Sequence, residues 1–112
     1  MIRTKRIYEP PAPEDGFRLL VMRLWPRGVR KGAVDAWEPD LGPSRDLLRA
    51  FREGRIDWGA LARRYVDEMA GRRELLERYR GLARAQTVTL LCSCEDETRC
   101  HRTLLRGLLE GT

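Results

Sequence analysis

The sequence predicts an α/β fold: one domain over residues 1–112, with a small, largely parallel sheet of about three strands and flanking helices. Three observations predict it. Two apolar, β-rich segments open the chain, Ile2–Tyr8 and Phe17–Arg23. A helical middle follows, from about Ser44 to Ala85. A β-branched run, Thr87-Val88-Thr89-Leu90-Leu91, then precedes an amphipathic segment, Thr103–Leu109. A strand that rejoins its sheet only after a long helical excursion is most simply parallel to its neighbour.

Each element has its own signal. Ile2–Tyr8 is weakly patterned and rich in arginine and lysine, which suits a strand near an edge. Glu9–Gly16 carries three prolines and an Asp-Gly pair, so it reads as a loop. Phe17–Arg23 is nearly continuous in apolar character, as buried parallel strands are. Leu24–Gly32 holds a proline and two glycines and leaves the sheet. Ser44 predicts an N-cap for a short helix through about Glu53, and Asp57 the next N-cap, with Ile56 as its staple. Leu61, Tyr65 and Met69 share one helical face; Gly71 interrupts it, and Leu75, Leu76, Tyr79 and Leu82 resume the stripe.

Composition narrows the classes. With 42% hydrophobic and 35% charged residues, the chain suits a soluble globular domain rather than disorder. No apolar run approaches the roughly 18 residues that span a bilayer. Met1–Arg6 runs into Tyr8-Glu9-Pro10 without an apolar segment, so no signal peptide is expected and the cytoplasm is the expected location. Three cysteines in such a setting favour free thiols, metal ligation or redox chemistry over a disulfide framework. The net charge is +5, and of 22 basic residues only Lys5 and Lys31 are lysines. Arginine forks suit phosphate and carboxylate partners, but a GC-rich genome or avoidance of labile amides explains most of that bias.

The chemistry concentrates in Leu91–Arg102, which holds all three cysteines and the single histidine. The segment lies between a strand and a helix, where thiolates and anions are favoured. Three readings stand beside each other. Cys92, Cys94, Cys100 and His101 are enough for a closed tetrahedral zinc site, although the adjacent Cys100-His101 pair looks cramped and the spacing is not that of a zinc finger. Cys94 and Arg99 give a Cys-x4-Arg loop of the kind that activates a thiolate, yet Glu95, Asp96 and Glu97 oppose it unless they turn outward. Cys100, beside Arg99, His101 and Arg102, has better electrostatics. A purely structural reading makes Cys92 a buried strand residue and has Arg102 bridge to Glu95 or Asp96.

Trp25-Pro26-Arg27-Gly28 is ambiguous too. Arg23 and Arg27 could grip a phosphate while Trp25 stacks on a ring, or Trp25 covers the sheet end and Pro26 and Gly28 set the turn. Trp37, Trp58, Tyr65 and Tyr79 read as core, and Arg63, Arg64, Arg72 and Arg73 as solvated helix surface.

Taken together, Arg18–Gly28 with Trp37, Pro43-Ser44, Tyr65–Met69 and Val88–Leu91 resemble the YeaO-like family, domain of unknown function 488. Leu91-Cys92 and Cys100-His101-Arg102 resemble the signature of the wider superfamily. The resemblance covers nearly the whole chain and implies no settled activity. Two departures stand out: Met22 where the family usually has aspartate, and Cys94 where many members of the superfamily carry an acidic residue.

The reading that follows is an anion-binding pocket at the carboxyl ends of the strands, lined by Arg23, Trp25, Arg27 and Arg102. Its ligand would be a nucleotide, a nucleic-acid end or a phosphorylated metabolite. If the protein is an enzyme, His101 and Cys100 are the candidate catalytic groups. The alternatives are a non-catalytic nucleic-acid or protein interaction module, and a zinc-stabilised scaffold on Cys92, Cys94, Cys100 and His101.

Overall fold

The computed structural model describes residues 1–111. Four strands, β1 (Ile2–Arg6), β2 (Phe17–Leu20), β3 (Ala36–Trp37) and β4 (Val88–Cys92), form one sheet in the order β1-β4-β2-β3. Every pairing is parallel. The expected α/β class and parallel sheet are observed. The additional strand is β3, whose two residues are too few to give a periodic signal. As its charged pattern suggests, β1 lies at an edge, whereas Val-Thr-Leu-Leu-Cys of β4 is buried throughout and central.

The two faces of the sheet are covered differently. Alternation puts Ile2, Leu19, Val88 and Leu90 on one face, against helices α1 (Arg45–Arg52), α2 (Trp58–Met69), α3 (Arg73–Ala85) and α4 (His101–Glu110). Ser44 caps α1 by accepting from the Leu47 amide at 3.2 Å, and Asp57 caps α2 by accepting from Ala60 at 2.8 Å. Leu61, Tyr65 and Met69 of α2 are buried as their spacing predicts. The chain turns near Gly71 before α3 begins.

The other face, with Ile7, Leu20 and Leu91, carries no helix. Two loops cover it, and Met22, Trp25, Val29 and Val34 pack on it. The first loop carries the chain from β1 over β4 to β2. That path sets Asp15 above the sheet, where it is 1% exposed. Its carboxylate accepts from Lys5 at 3.1 Å, from the Ala12 amide at 3.1 Å and from the Arg18 guanidinium. Thr89 of β4 donates to the Asp15 carbonyl at 2.6 Å. Gly16 ends this loop with φ at 61°, and a Cβ there would meet the Thr87 carbonyl oxygen at 2.4 Å.

Burial works to raise the Asp15 pKa, but the Ala12 amide, Lys5 and Arg18 outweigh it and hold the carboxyl below its ordinary 3.8. The stabilisation is therefore complete above that ordinary value and is lost as pH falls through the depressed one. Asp15→Asn leaves Lys5 and Arg18 without their shared counter-charge. Thermal unfolding at pH 7 is expected to show a loss of about 3–5 kcal/mol, with the gap between variant and wild type closing in acid. A gap that persisted unchanged in acid, where Asp15 is protonated in both the folded and unfolded chain, would assign the loss to packing instead.

Candidate metal centre

Beyond β2 the chain stays paired for one more residue, since the Val21 amide donates to the Leu91 carbonyl at 3.0 Å. The Val21 carbonyl then points at α4 and accepts from His101 Nε2 at 2.5 Å. This bond places the ring proton on Nε2 and leaves the Nδ1 lone pair free. Nδ1 lies 4.0 Å from both Cys92 Sγ and Cys100 Sγ. Tyr65 packs edge-on against the imidazole, 5.5 Å between centroids, and donates to the Leu41 carbonyl at 2.7 Å.

Cys92 ends β4 on the helical face of the sheet. Cys94 follows one residue beyond Ser93, with its sulfur 3.5 Å from that of Cys92. The loop then passes through a short turn, where Asp96 accepts from the Thr98 amide at 3.0 Å. Glu95, Asp96 and Glu97 are all exposed, so the acidic residues do turn away from the thiols. The adjacency of Cys100 and His101, which looked cramped, is no obstacle. Cys100 is extended (φ −138°, ψ 140°) and His101 begins the helix, so their side chains leave the backbone in different directions and meet. The ligand atoms of Cys92, Cys94, Cys100 and His101 all lie within 4.8 Å of one another.

The cluster is buried except for Cys94, which is half-buried. Hydrogen bonds from Cys100 and Cys94 lower the Cys92 thiol to about 3, while Cys100, the donor to Cys92, is pushed up. One negative charge is thus favoured among three thiols. Burial lowers the His101 pKa and keeps the ring neutral at pH 7. Arg102, 2% exposed, donates to the Cys94 carbonyl at 2.9 Å and to Cys100 Sγ at 3.6 Å. It bridges to neither Glu95 nor Asp96.

The other expected site residues do not share one hollow with His101. Arg23 does come close, lining a cleft of about 110 Å³ with Met22, Leu24, Arg52, Cys94 and His101. Its guanidinium, however, is taken by Asp40 at 2.9 Å, Gly42 O at 3.0 Å and Pro43 O at 3.2 Å. Gly42 also lets the two backbones meet, since a Cβ there would lie 2.5 Å from the Arg23 main-chain nitrogen. Trp25 packs on the opposite face of the sheet, edge-on to Trp37, and donates to Val29 O at 2.9 Å. Arg27 belongs to the same loop, where its carbonyl accepts from Tyr8 at 3.1 Å. Neither Trp25 nor Arg27 lines the cleft at His101. The expected convergence fails because the loop after Leu24 folds over the helix-free face instead of toward α4. Trp37, expected in the core, is 40% exposed on the edge strand. Met22, standing where an aspartate was expected, packs with Trp25 and leaves no carboxylate beside the cysteines.

Known proteins agree with this chain from end to end. The model of family DUF488-N3a, described as the active DUF488-N3 subclade, matches residues 2–112. The uncharacterized protein YeaO of Escherichia coli strain K12 is 37% identical over 112 residues, covering 98% of this chain and 97% of its own. The uncharacterized protein Rv3073c of Mycobacterium tuberculosis and Mb3100c of Mycobacterium bovis are each 34% identical, over 98% of this chain and 94% of theirs. No solved structure matches. A family match over residues 2–112, supported by relatives covered to 94–97% of their own length, places this protein in the DUF488-N3a family.

Proposed function

We propose that the protein is a zinc-binding scaffold in which Cys92, Cys94, Cys100 and His101 hold the ion. The observation that carries this reading is the orientation of His101: Nε2 is tied to Val21 O and Nδ1 faces the sulfurs. Ligating histidines characteristically fix their second nitrogen on a carbonyl or carboxylate in this way. Around a tetrahedral zinc, bond lengths of about 2.3 Å to sulfur and 2.0–2.1 Å to nitrogen imply S···S and S···N separations near 3.7 and 3.5 Å. The observed 3.5 Å and 4.0 Å contacts lie within about half an ångström of these values, and the widest separation in the cluster, up to 4.8 Å, closes by about 1 Å on binding.

Charge fits as well. Three thiolates and one zinc sum to −1, and the guanidinium of Arg102 lies against the cluster to offset it. Four protein ligands close the coordination shell, the pattern of a structural rather than an open catalytic zinc. Its effect would be to pin the end of β4, the Cys94 loop and the start of α4 to one point. The thiolate-nucleophile reading loses ground on the same geometry, since Cys100 is 1% exposed.

Protein purified under reducing conditions is expected to carry one zinc per chain by elemental analysis. Cobalt substituted for it should give thiolate-to-metal charge-transfer absorption and tetrahedral d–d bands. Both signals should vanish in Cys100→Ser and weaken in His101→Ala, and chelation should lower Tm. Wild-type protein that takes up neither metal would end the proposal.

Arg102→Met tests the charge balance separately. It should weaken zinc binding by about 10–100-fold, the usual cost of losing a group that supports metal ligands, without changing the cobalt spectrum. Unchanged affinity would show that the guanidinium serves packing alone.

A further inference from the structure

Three arginines of α1, Arg45, Arg49 and Arg52, are exposed and fall at i, i+4 and i+7, on one face of the helix. At 1.5 Å per residue they run about 10 Å along it. Other exposed arginines, among them Arg63, Arg64, Arg73 and Arg84, also stand outside the ion pairs; what sets these three apart is their alignment along one groove. Among the described residues these three form no ion pair. Two acids lie near them: Glu53, which also lines the cleft below and accepts from Arg55 at 2.9 Å, and Asp46, exposed in the first turn of the same helix and in no ion pair.

The arginines border a groove. A cleft of about 350 Å³ is lined by Leu24, Leu48 and all three of them. It adjoins the 110 Å³ cleft at the metal centre, and the two share Leu24, Leu48 and Arg52. Leu24 is 46% exposed there, an apolar surface between cations. A row of unpaired guanidinium groups over an apolar floor matches a chain that alternates phosphates with flat apolar faces. Reading a duplex by its bases would need a helix or ribbon in its groove, whereas the exposed apolar Leu24 offers a face that only an unstacked base can reach.

We infer that the groove formed by Leu24, Leu48, Arg45, Arg49 and Arg52 binds single-stranded nucleic acid, phosphates on the arginines and a base against Leu24. This goes beyond the zinc reading and needs from the metal centre only the position of the Cys94 loop.

The test is fluorescence anisotropy with a labelled oligothymidylate of about eight nucleotides, within the range one small domain covers, across a salt series. Three phosphate contacts predict a slope of log K against log salt near −2, at about −0.7 per contact for single strands. Arg49→Glu/Arg52→Glu should weaken binding more than about tenfold and flatten the slope toward −0.7. Arg73→Glu/Arg84→Glu on α3 makes the same change in net charge and should cost far less. Zinc content and circular dichroism of each variant are read alongside, so loss of metal or fold is distinguished from loss of the groove. The inference is overturned if wild type does not bind at low salt, if the α3 variant loses as much as the α1 variant, or if duplex of the same length binds as tightly.

Discussion

The hydrogen bond from His101 Nε2 to the Val21 carbonyl decides what the end of this sheet can do. Were the ring turned over, Cε1 would meet the Val21 carbonyl and Cδ2 would face the thiols, so both the anchoring bond and the ligand lone pair would be lost. As it stands, one carbonyl just past β2 selects the tautomer, and the helix that begins at His101 directs the remaining lone pair at Cys92 and Cys100. Burial reinforces the choice by disfavouring the imidazolium. The fold supplies this arrangement because β4 pairs with β2, so that Val21 and Cys92 finish side by side on the helical face.

The division of labour between the two faces explains the rest. Helices crowd one side, and their packing holds α4 against β1 and β4 while Tyr65 of α2 backs the histidine. The other side relies on loops, which cannot bury as many apolar groups. There the ion cluster of Lys5, Asp15 and Arg18 with Thr89 ties the crossover loop to the central strand. Buried charges of this kind contribute more to fixing one arrangement than to net stability, since desolvation offsets much of their attraction.

Local signals made much of this legible. Ser44 and Asp57 announced their helices, the 3.6-residue stripe of Leu61, Tyr65 and Met69 announced the core, and the all-apolar β4 announced a central parallel strand. The four residues proposed to hold the metal were visible as the only concentration of sulfur and imidazole. What the sequence could not express was direction across the sheet. Whether the loop after Leu24 folds toward α4 or away from it depends on Trp25 and Val29 finding Leu20 and Leu91, a long-range packing choice with no local signature. The same gap hid the use of Arg23, whose partners Asp40, Gly42 and Pro43 lie about twenty positions on. The cations of α1 were missed for another reason: a solvated arginine and one left unpaired beside a groove read alike until their neighbours are in place.

The centre itself can be observed directly. X-ray absorption at the zinc K-edge, on protein loaded with one equivalent, reads the atoms around the ion. The account predicts three sulfurs at about 2.3 Å and one nitrogen at about 2.0 Å, with no further ligand. A shell of nitrogen and oxygen atoms without sulfur would contradict it, placing the metal somewhere other than Cys92, Cys94, Cys100 and His101.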